Sequence, residues 1–488
     1  MFRPRHRLPA LDLGSLVVVL RRAALRIRCT ELDRLGLITL VCRPYHGVSR
    51  EIPLRIGCPK LDLGPTLNPR RFLAIVHPSM TLLIRNARVL TLVSSAQSGS
   101  TGLNRLRRGK ALGDLGVLPQ GDVLVTDGKI SAVGPKIEAP TGCEVIEGQG
   151  RVLLPGFVDC HTHICWAGDR LAEWEQKLSG VPYGKIIQNG GGLMATVRAV
   201  REATKKQLAA HLKTRLDLLL RDGTTTVEIK SGYGLQIEEE LKMLRAIVRA
   251  GNEWPGTIVP TALLGHAFEG DLDEYARMVV KEMLPAVSKE FPDIAVDAFC
   301  EQGAWSVEAC VRFFEKASKH HPVRVHADQY SSLGMVSEAI RLGARSIDHL
   351  EASTKADLLL LAQSRTVAVV LPGSGFHTHG RFARAGFMAD AGGALALATN
   401  CNPGTAPTHS MPFVIALAVR HCGLTPAEAI VAATVNAAAV LGLSDRGTIE
   451  PGQRADLILL RHKDERQLAY EFGGNPVDQV ICGGAVVR

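Results

Sequence analysis

The sequence is short of aromatic residues, of long apolar runs and of paired cysteines, and each shortage excludes something. Aromatics are 5% of the 488 residues. A core drawn from the 46% hydrophobic fraction must therefore be built from Val, Leu, Ile and Ala. No apolar run reaches the roughly 18 uninterrupted residues that mark a bilayer span, so no membrane partner is expected. The 11 cysteines are scattered, odd in number and without a C-x-x-C pair. In a chain this long that pattern reads as reduced thiols and a cytoplasmic protein, not a disulfide framework. Internal repeats and low-complexity arrays are also missing, which excludes a solenoid.

The net charge of +9 could suggest nucleic acid, but it is confined to one end. The segment before Met80 holds 14 Lys and Arg against 5 Asp and Glu, and the remainder is balanced at 43 of each. The body is therefore neutral, and no nucleic-acid partner is expected. Residues 1–79 are Arg-rich and broken by prolines, with "GSLVVVLRRAALRIR" as the apolar stretch. A signal or transit peptide would share these features, but no A-x-A cleavage site follows the apolar stretch. The expectation is a basic extension upstream of a true start at "MTLLIRNARVLTL", without a packed role.

From Met80 the pattern is regular. "TLLIRNARVLTL" and "GDVLVTDGKISAVG" read as short strands, the latter turning at Asp127-Gly128. Residues 80–150, joined by the strand-like "RADLILL" and "VDQVICGGAVV" of 447–488, are expected to form a small β-sandwich-like domain. Between them, 151–446 alternates strands with helices. The strand candidates are "LLPGFVDCHTH", "TTTVEIKSG", "TIVPTALLGHA", "DIAVDAFCE", "VRVHAD", "SIDHLE", "VAVVLP" and "ALALATN". Eight strands with intervening helices such as "IEEELKMLRAIVRAG" imply an α/β fold, a (β/α)8 barrel. Their apolar character suits a parallel sheet buried on both faces.

In such a barrel the chemistry sits at the C-terminal strand ends. Here those ends carry His161 and His163, Lys230 to Tyr233, His266, Glu301, His326 to Gln329, His349 and Asn400. Histidines two apart on an extended segment face the same side. A single strand-end histidine is more often a packing residue than a ligand. Five of them at four strand ends point instead to one divalent metal, zinc or iron, held by His161, His163 and His326 with Asn400 nearby.

The motifs "PGFVDCHTH", "HTHICWAGDR", "GGGLMATVRAVR", "GTTTVEIKSGYGL", "FCEQGAWSVE", "HADQYSSLG", "DHLEAST" and "NPGTAPTHSM" together resemble the imidazolonepropionase family of the amidohydrolase superfamily. The resemblance covers Met80 to Arg488. Residues 1–79 have no counterpart in it. It implies hydrolysis of 4-imidazolone-5-propanoate to N-formimino-L-glutamate in histidine degradation. It also implies that Arg170 grips the substrate carboxylate, that Tyr183 and Tyr233 point hydroxyls at the substrate, and that His266 lies by the reacting ring and stabilises charge developing there. Gln329 then hydrogen-bonds the ring, His349 shuttles a proton, and Asn402, Gly404 and Thr405 form a ligand-contacting loop.

One position departs from the family: "ATNCNPGT" has Asn400 where a metal-ligating Asp is expected. An amide offers a neutral oxygen and no base. Two other readings follow. One is a different cyclic amidohydrolase or deaminase on the same barrel, against which a carboxylate-gripping Arg170 argues. The other is an impaired homologue that binds a small acid. The partner is in each case a small molecule, and a homodimer is the default assembly.

Overall fold

The computed structural model describes the strands β1 (Leu25–Leu32), β2 (Leu37–Pro44) and β3 (Leu54–Gly57) by backbone alone, and then residues 81–94 and 105–488, the side chains of 183, 184 and 187 excepted. Two compact units divide the chain, Met1–Val76 and His77–Arg488. In the first, β1, β2 and β3 pair antiparallel in that order.

The second unit opens with β4 (Thr81–Leu90), β5 (Val117–Thr126), β6 (Lys129–Gly134), β7 (Glu144–Glu147) and β8 (Val152–Pro155). Asp127 and Gly128 both have positive φ, 50° and 78°, which gives the tight turn between β5 and β6 whose twist suits a hairpin. The C-terminal strands β17 (Leu457–Leu460), β18 (Val477–Cys482) and β19 (Ala485–Val486) join the same sheet. Its order is β19-β18-β17-β8-β4-β5-β6, with β7 paired to β4 off that path. Inward-facing Ile84, Val89, Val123, Leu153, Leu457 and Ile481 fill its core.

The barrel strands are β9 (Phe157–Asp159), β10 (Thr224–Lys230), β11 (Thr257–Gly265), β12 (Ala295–Cys300), β13 (Arg324–Ala327), β14 (Ser346–His349), β15 (Val367–Val370) and β16 (Leu395–Leu397). They run parallel in sequence order, β9 to β16. Amphipathic helices such as Ile237–Glu253 and Val307–Ala317 cover them. The run "LLPGFVDCHTH", expected as one strand, divides at Gly156. Leu153 and Leu154 pair with β17 in the flanking sheet, while Phe157 to Asp159 pair with β10 in the barrel. A Cβ at Gly156 would stand 2.3 Å from Thr225 Oγ1, so only glycine lets the chain cross between the sheets here. Among the described residues, no helix is long and apolar enough to cross a membrane.

Candidate metal centre and substrate site

The barrel closes at its C-terminal end through the residues that follow β9 and β16. The Asn400 N–H donates to His161 O at 3.1 Å and the His163 N–H to Cys401 O at 3.0 Å. Asp159 reinforces the seam by accepting from the Thr399 N–H at 3.1 Å and the Thr399 hydroxyl at 2.5 Å. Burial raises the Asp159 carboxyl to about 7.

His161 and His163 leave this seam on one side and meet His326 from β13. His163 Nε2 lies 3.3 Å from His161 Nε2 and 3.3 Å from His326 Nε2, and all three rings are buried. Burial is the first cause that pushes each imidazole below its ordinary pKa, so the rings are neutral. His161 Nδ1 donates to Asp348 Oδ2 at 2.5 Å, and His326 Nδ1 to Asp297 Oδ1 at 3.0 Å. A neutral imidazole has one N–H, so Nε2 of both rings carries a lone pair. His163 can supply a proton to at most one of them, while its own Nδ1 and the Oδ1 of Asn400 are buried without a hydrogen-bond partner. Lone pairs facing each other in a dry core are costly. A cation satisfies them together, and ligand atoms within 4.8 Å of one another match what a divalent ion takes. The residues present fit a divalent metal.

Beneath the imidazoles lie five charged side chains: Glu228 and Lys230 of β10, Asp297 of β12, Arg324 of β13 and Asp348 of β14, all almost fully buried. Lys230 Nζ bridges Glu228 at 2.7 Å and Asp297 at 2.8 Å. Arg324 bridges Glu228 at 3.2 Å and Asp348 at 2.7 Å. Reasoning from strand ends passed over Glu228, Asp297, Arg324 and Asp348. Their signal was in the sequence all the same, as ionisable residues inside the apolar strands "TTTVEIK", "AVDAFC", "RVHA" and "SIDH".

Around the cluster, the His266 ring stacks 5.0 Å from His163, and Tyr233 lies 5.1 Å from His266 and 6.1 Å from His163. The His349 ring is 5.6 Å from His326. His266 Nδ1 donates to Gly232 O at 2.9 Å, and burial lowers its pKa to about 3. The ring therefore presents a lone pair at Nε2, not an N–H. His349 Nδ1 pairs with Glu351 Oε1 at 3.1 Å. Burial pushes the Tyr233 hydroxyl up against the pull of the nearby Arg170.

Arg170 follows β9, the first barrel strand, and is held by Glu173, through Nε at 2.6 Å and Nη2 at 2.5 Å. Its Nη1 faces Thr196 and the loop at Gly404, where a Cβ would come within 3.4 Å of it. Asn402 spends its amide inside that loop. Its Oδ1 accepts from the Gly404 and Thr405 N–H groups at 2.8 and 2.7 Å, and its Nδ2 donates to Asn400 O at 2.6 Å. Gln329 Nε2 is engaged by Tyr330 Oη at 3.1 Å and Ser374 Oγ at 3.0 Å. Tyr183 opens a short helix, Tyr183–Gln188, and its side chain lies outside the described residues.

The sequence profile of the Amidohydrolase family matches residues 152–487. A Deinococcus radiodurans protein named imidazolonepropionase is 44% identical over 393 residues, covering 79% of this chain and 98% of its own length. One of the same name from Geobacillus kaustophilus is 40% identical, over 83% of this chain and 97% of its own. Among solved structures, a triazine hydrolase variant superposes with a TM-score of 0.61 at 16% identity, over 83% of this chain and 94% of its own. An adenosine deaminase from Xanthomonas campestris with bound zinc gives 0.57 at 21% identity, over 83% and 92%. The structural likenesses carry the fold and the sequence relatives carry the family: the chain belongs to the amidohydrolase family, and within it to the imidazolonepropionases.

Proposed function

We propose that the chain hydrolyses 4-imidazolone-5-propanoate, opening the ring to N-formimino-L-glutamate. The observation that carries this reading is the continuity from the three imidazoles through His266 and Tyr233 to Arg170. Such a site suits a small ring with a carboxylate tail. His161, His163 and His326, with the Asn400 amide oxygen as oxygen donor, would hold a divalent ion, which would supply Lewis acidity toward a ring carbonyl and a water. A donor set of imidazoles and one neutral oxygen accepts zinc or iron alike.

The chain's own residues supply the rest. Arg170 has five N–H donors; Glu173 takes two of them and Thr196 Oγ1 a third, which leaves two on Nη1 and Nη2 to receive the propionate through paired hydrogen bonds. Glu173 keeps the guanidinium in that orientation. His266, neutral and bearing a lone pair at Nε2, accepts a ring N–H and orients the ring against the cluster. The Tyr233 hydroxyl stays protonated and donates. Gln329 offers its carbonyl oxygen, because its amide protons are engaged. His349, its Nδ1–H turned to Glu351, receives at Nε2 the proton that the attacking water loses and returns it to the departing ring nitrogen. Asn402 shapes the loop that brings Gly404 to Arg170. The free thiols of the described cysteines support a cytoplasmic enzyme.

The test is loss of the imidazolone absorbance. Metal-replete protein should remove it, protein stripped by a chelator should not, and added zinc or iron(II) should restore turnover. Metal-replete protein that leaves the absorbance unchanged overturns the assignment.

A further inference from the structure

We propose that Glu228 is a positioning residue for the metal centre: one carboxylate under the three imidazoles joins their separate supports into a single unit. The inference rests on the metal reading above and concerns how tightly the ion is held.

Three routes lead to this carboxylate. His161 donates to Asp348 Oδ2, the oxygen that also takes Arg324 Nη2 at 2.7 Å, and Arg324 Nη1 reaches Glu228 Oε1 at 3.2 Å. His326 donates to Asp297 Oδ1, Asp297 Oδ2 takes Lys230 Nζ at 2.8 Å, and the same Nζ donates to Glu228 Oε1 at 2.7 Å. The third route is through backbone. The Thr162 N–H, between His161 and His163, donates to Glu228 Oε2 at 3.0 Å, and the Thr162 hydroxyl donates to Glu228 O at 2.6 Å. All three ligands are thus referred to one side chain, which acts through Thr162, Lys230 and Arg324.

The charge balance points the same way. Glu228, Asp297 and Asp348 against Lys230 and Arg324 leave one surplus negative charge beneath three neutral rings. Burying five charges in an apolar barrel is not explained by stability, since well-packed hydrophobic residues of similar volume would often do as well or better. A floor that fixes ring tautomers and favours a cation above it is explained by metal holding. Partners behind ligating histidines are worth about 10- to 100-fold in metal affinity.

The experiment uses full-length protein and cobalt(II) as probe, with a competing chromophoric chelator, the visible spectrum of bound cobalt, and the melting temperature of metal-free protein. Glu228→Gln keeps the shape and an oxygen for Thr162 but cannot hold two cations. Its cobalt dissociation constant should rise about 10- to 100-fold, with an altered cobalt spectrum. Glu228→Gln combined with Asp297→Asn should cost less than the product of the single effects, because both act through one unit. Where Glu228→Gln does not fold, Arg324→Lys serves: a single ammonium cannot span Glu228 and Asp348, so affinity should again fall. Wild-type affinity and spectrum in the variant, with only a lowered melting temperature, overturn the proposal. Wild-type protein that binds no cobalt overturns the metal reading, and this inference with it.

Discussion

The floor of the site and its rim are built on opposite principles. The floor is made of side chains on β10, β12, β13 and β14, buried, with each charge answered by a neighbour. The rim is made of the segments after β9, β10 and β16, where Arg170, Tyr233 and the loop 402–405 meet. There Arg170 pairs, among the described residues, with a single carboxylate, Glu173. Side chains on strands hold a geometry more closely than side chains on loops. On the proposed reading the floor serves the chemistry and the rim serves recognition, so substitutions in the two regions should separate in kinetics.

The largest effect is expected where floor and ion meet. His326→Ala should remove bound metal and bring turnover to background, read by elemental analysis and the absorbance assay. Metal retained at wild-type level would break the comparison at its centre. Asp348→Asn should follow. It keeps the side-chain shape but no longer imposes the N–H on His161 Nδ1, so metal affinity or kcat should fall roughly 10- to 100-fold with KM little changed.

At the rim, if Arg170 grips the propionate, Arg170→Ala removes a charge-assisted contact of about 1.5–3 kcal/mol, roughly 10- to 100-fold, present in ground and transition states alike. The loss should therefore appear in KM, and Arg170→Lys should recover part of it. Unchanged kinetics would show that the carboxylate is gripped elsewhere. The smallest effect sharpens the comparison at the seam between the two regions. Asn400→Asp adds a group that can accept a proton, and should raise kcat severalfold and reshape the pH–rate profile while KM stays. A neutral or harmful outcome would leave the proton work with His349.

The eight barrel strands were legible because each is a short apolar run bounded by polar turns, and the cluster because histidines gather at strand ends. Two things were hidden. The crossing at Gly156 lies inside a continuous apolar run, and hydrophobicity does not say which sheet a strand joins. The floor charges occupy positions that period and apolarity assign to packing, so Asp297 and Asp348 look like isolated polar residues until the fold sets them behind His326 and His161. Glu173 was hidden differently: "LAEWEQKL" reads as a solvated helix, and only tertiary contact shows its carboxylate holding Arg170. The tautomer of His266 was hidden as well, because a tertiary contact with Gly232 O decides which nitrogen bears the proton.

The central claim is that three neutral imidazoles, backed from below by carboxylates, hold one divalent ion. Metal content per chain, in protein purified without chelator, tests it most directly. The account predicts about one equivalent of zinc or iron in the wild type and close to none in His326→Ala. A wild-type protein without metal, or equal metal in both, would contradict it.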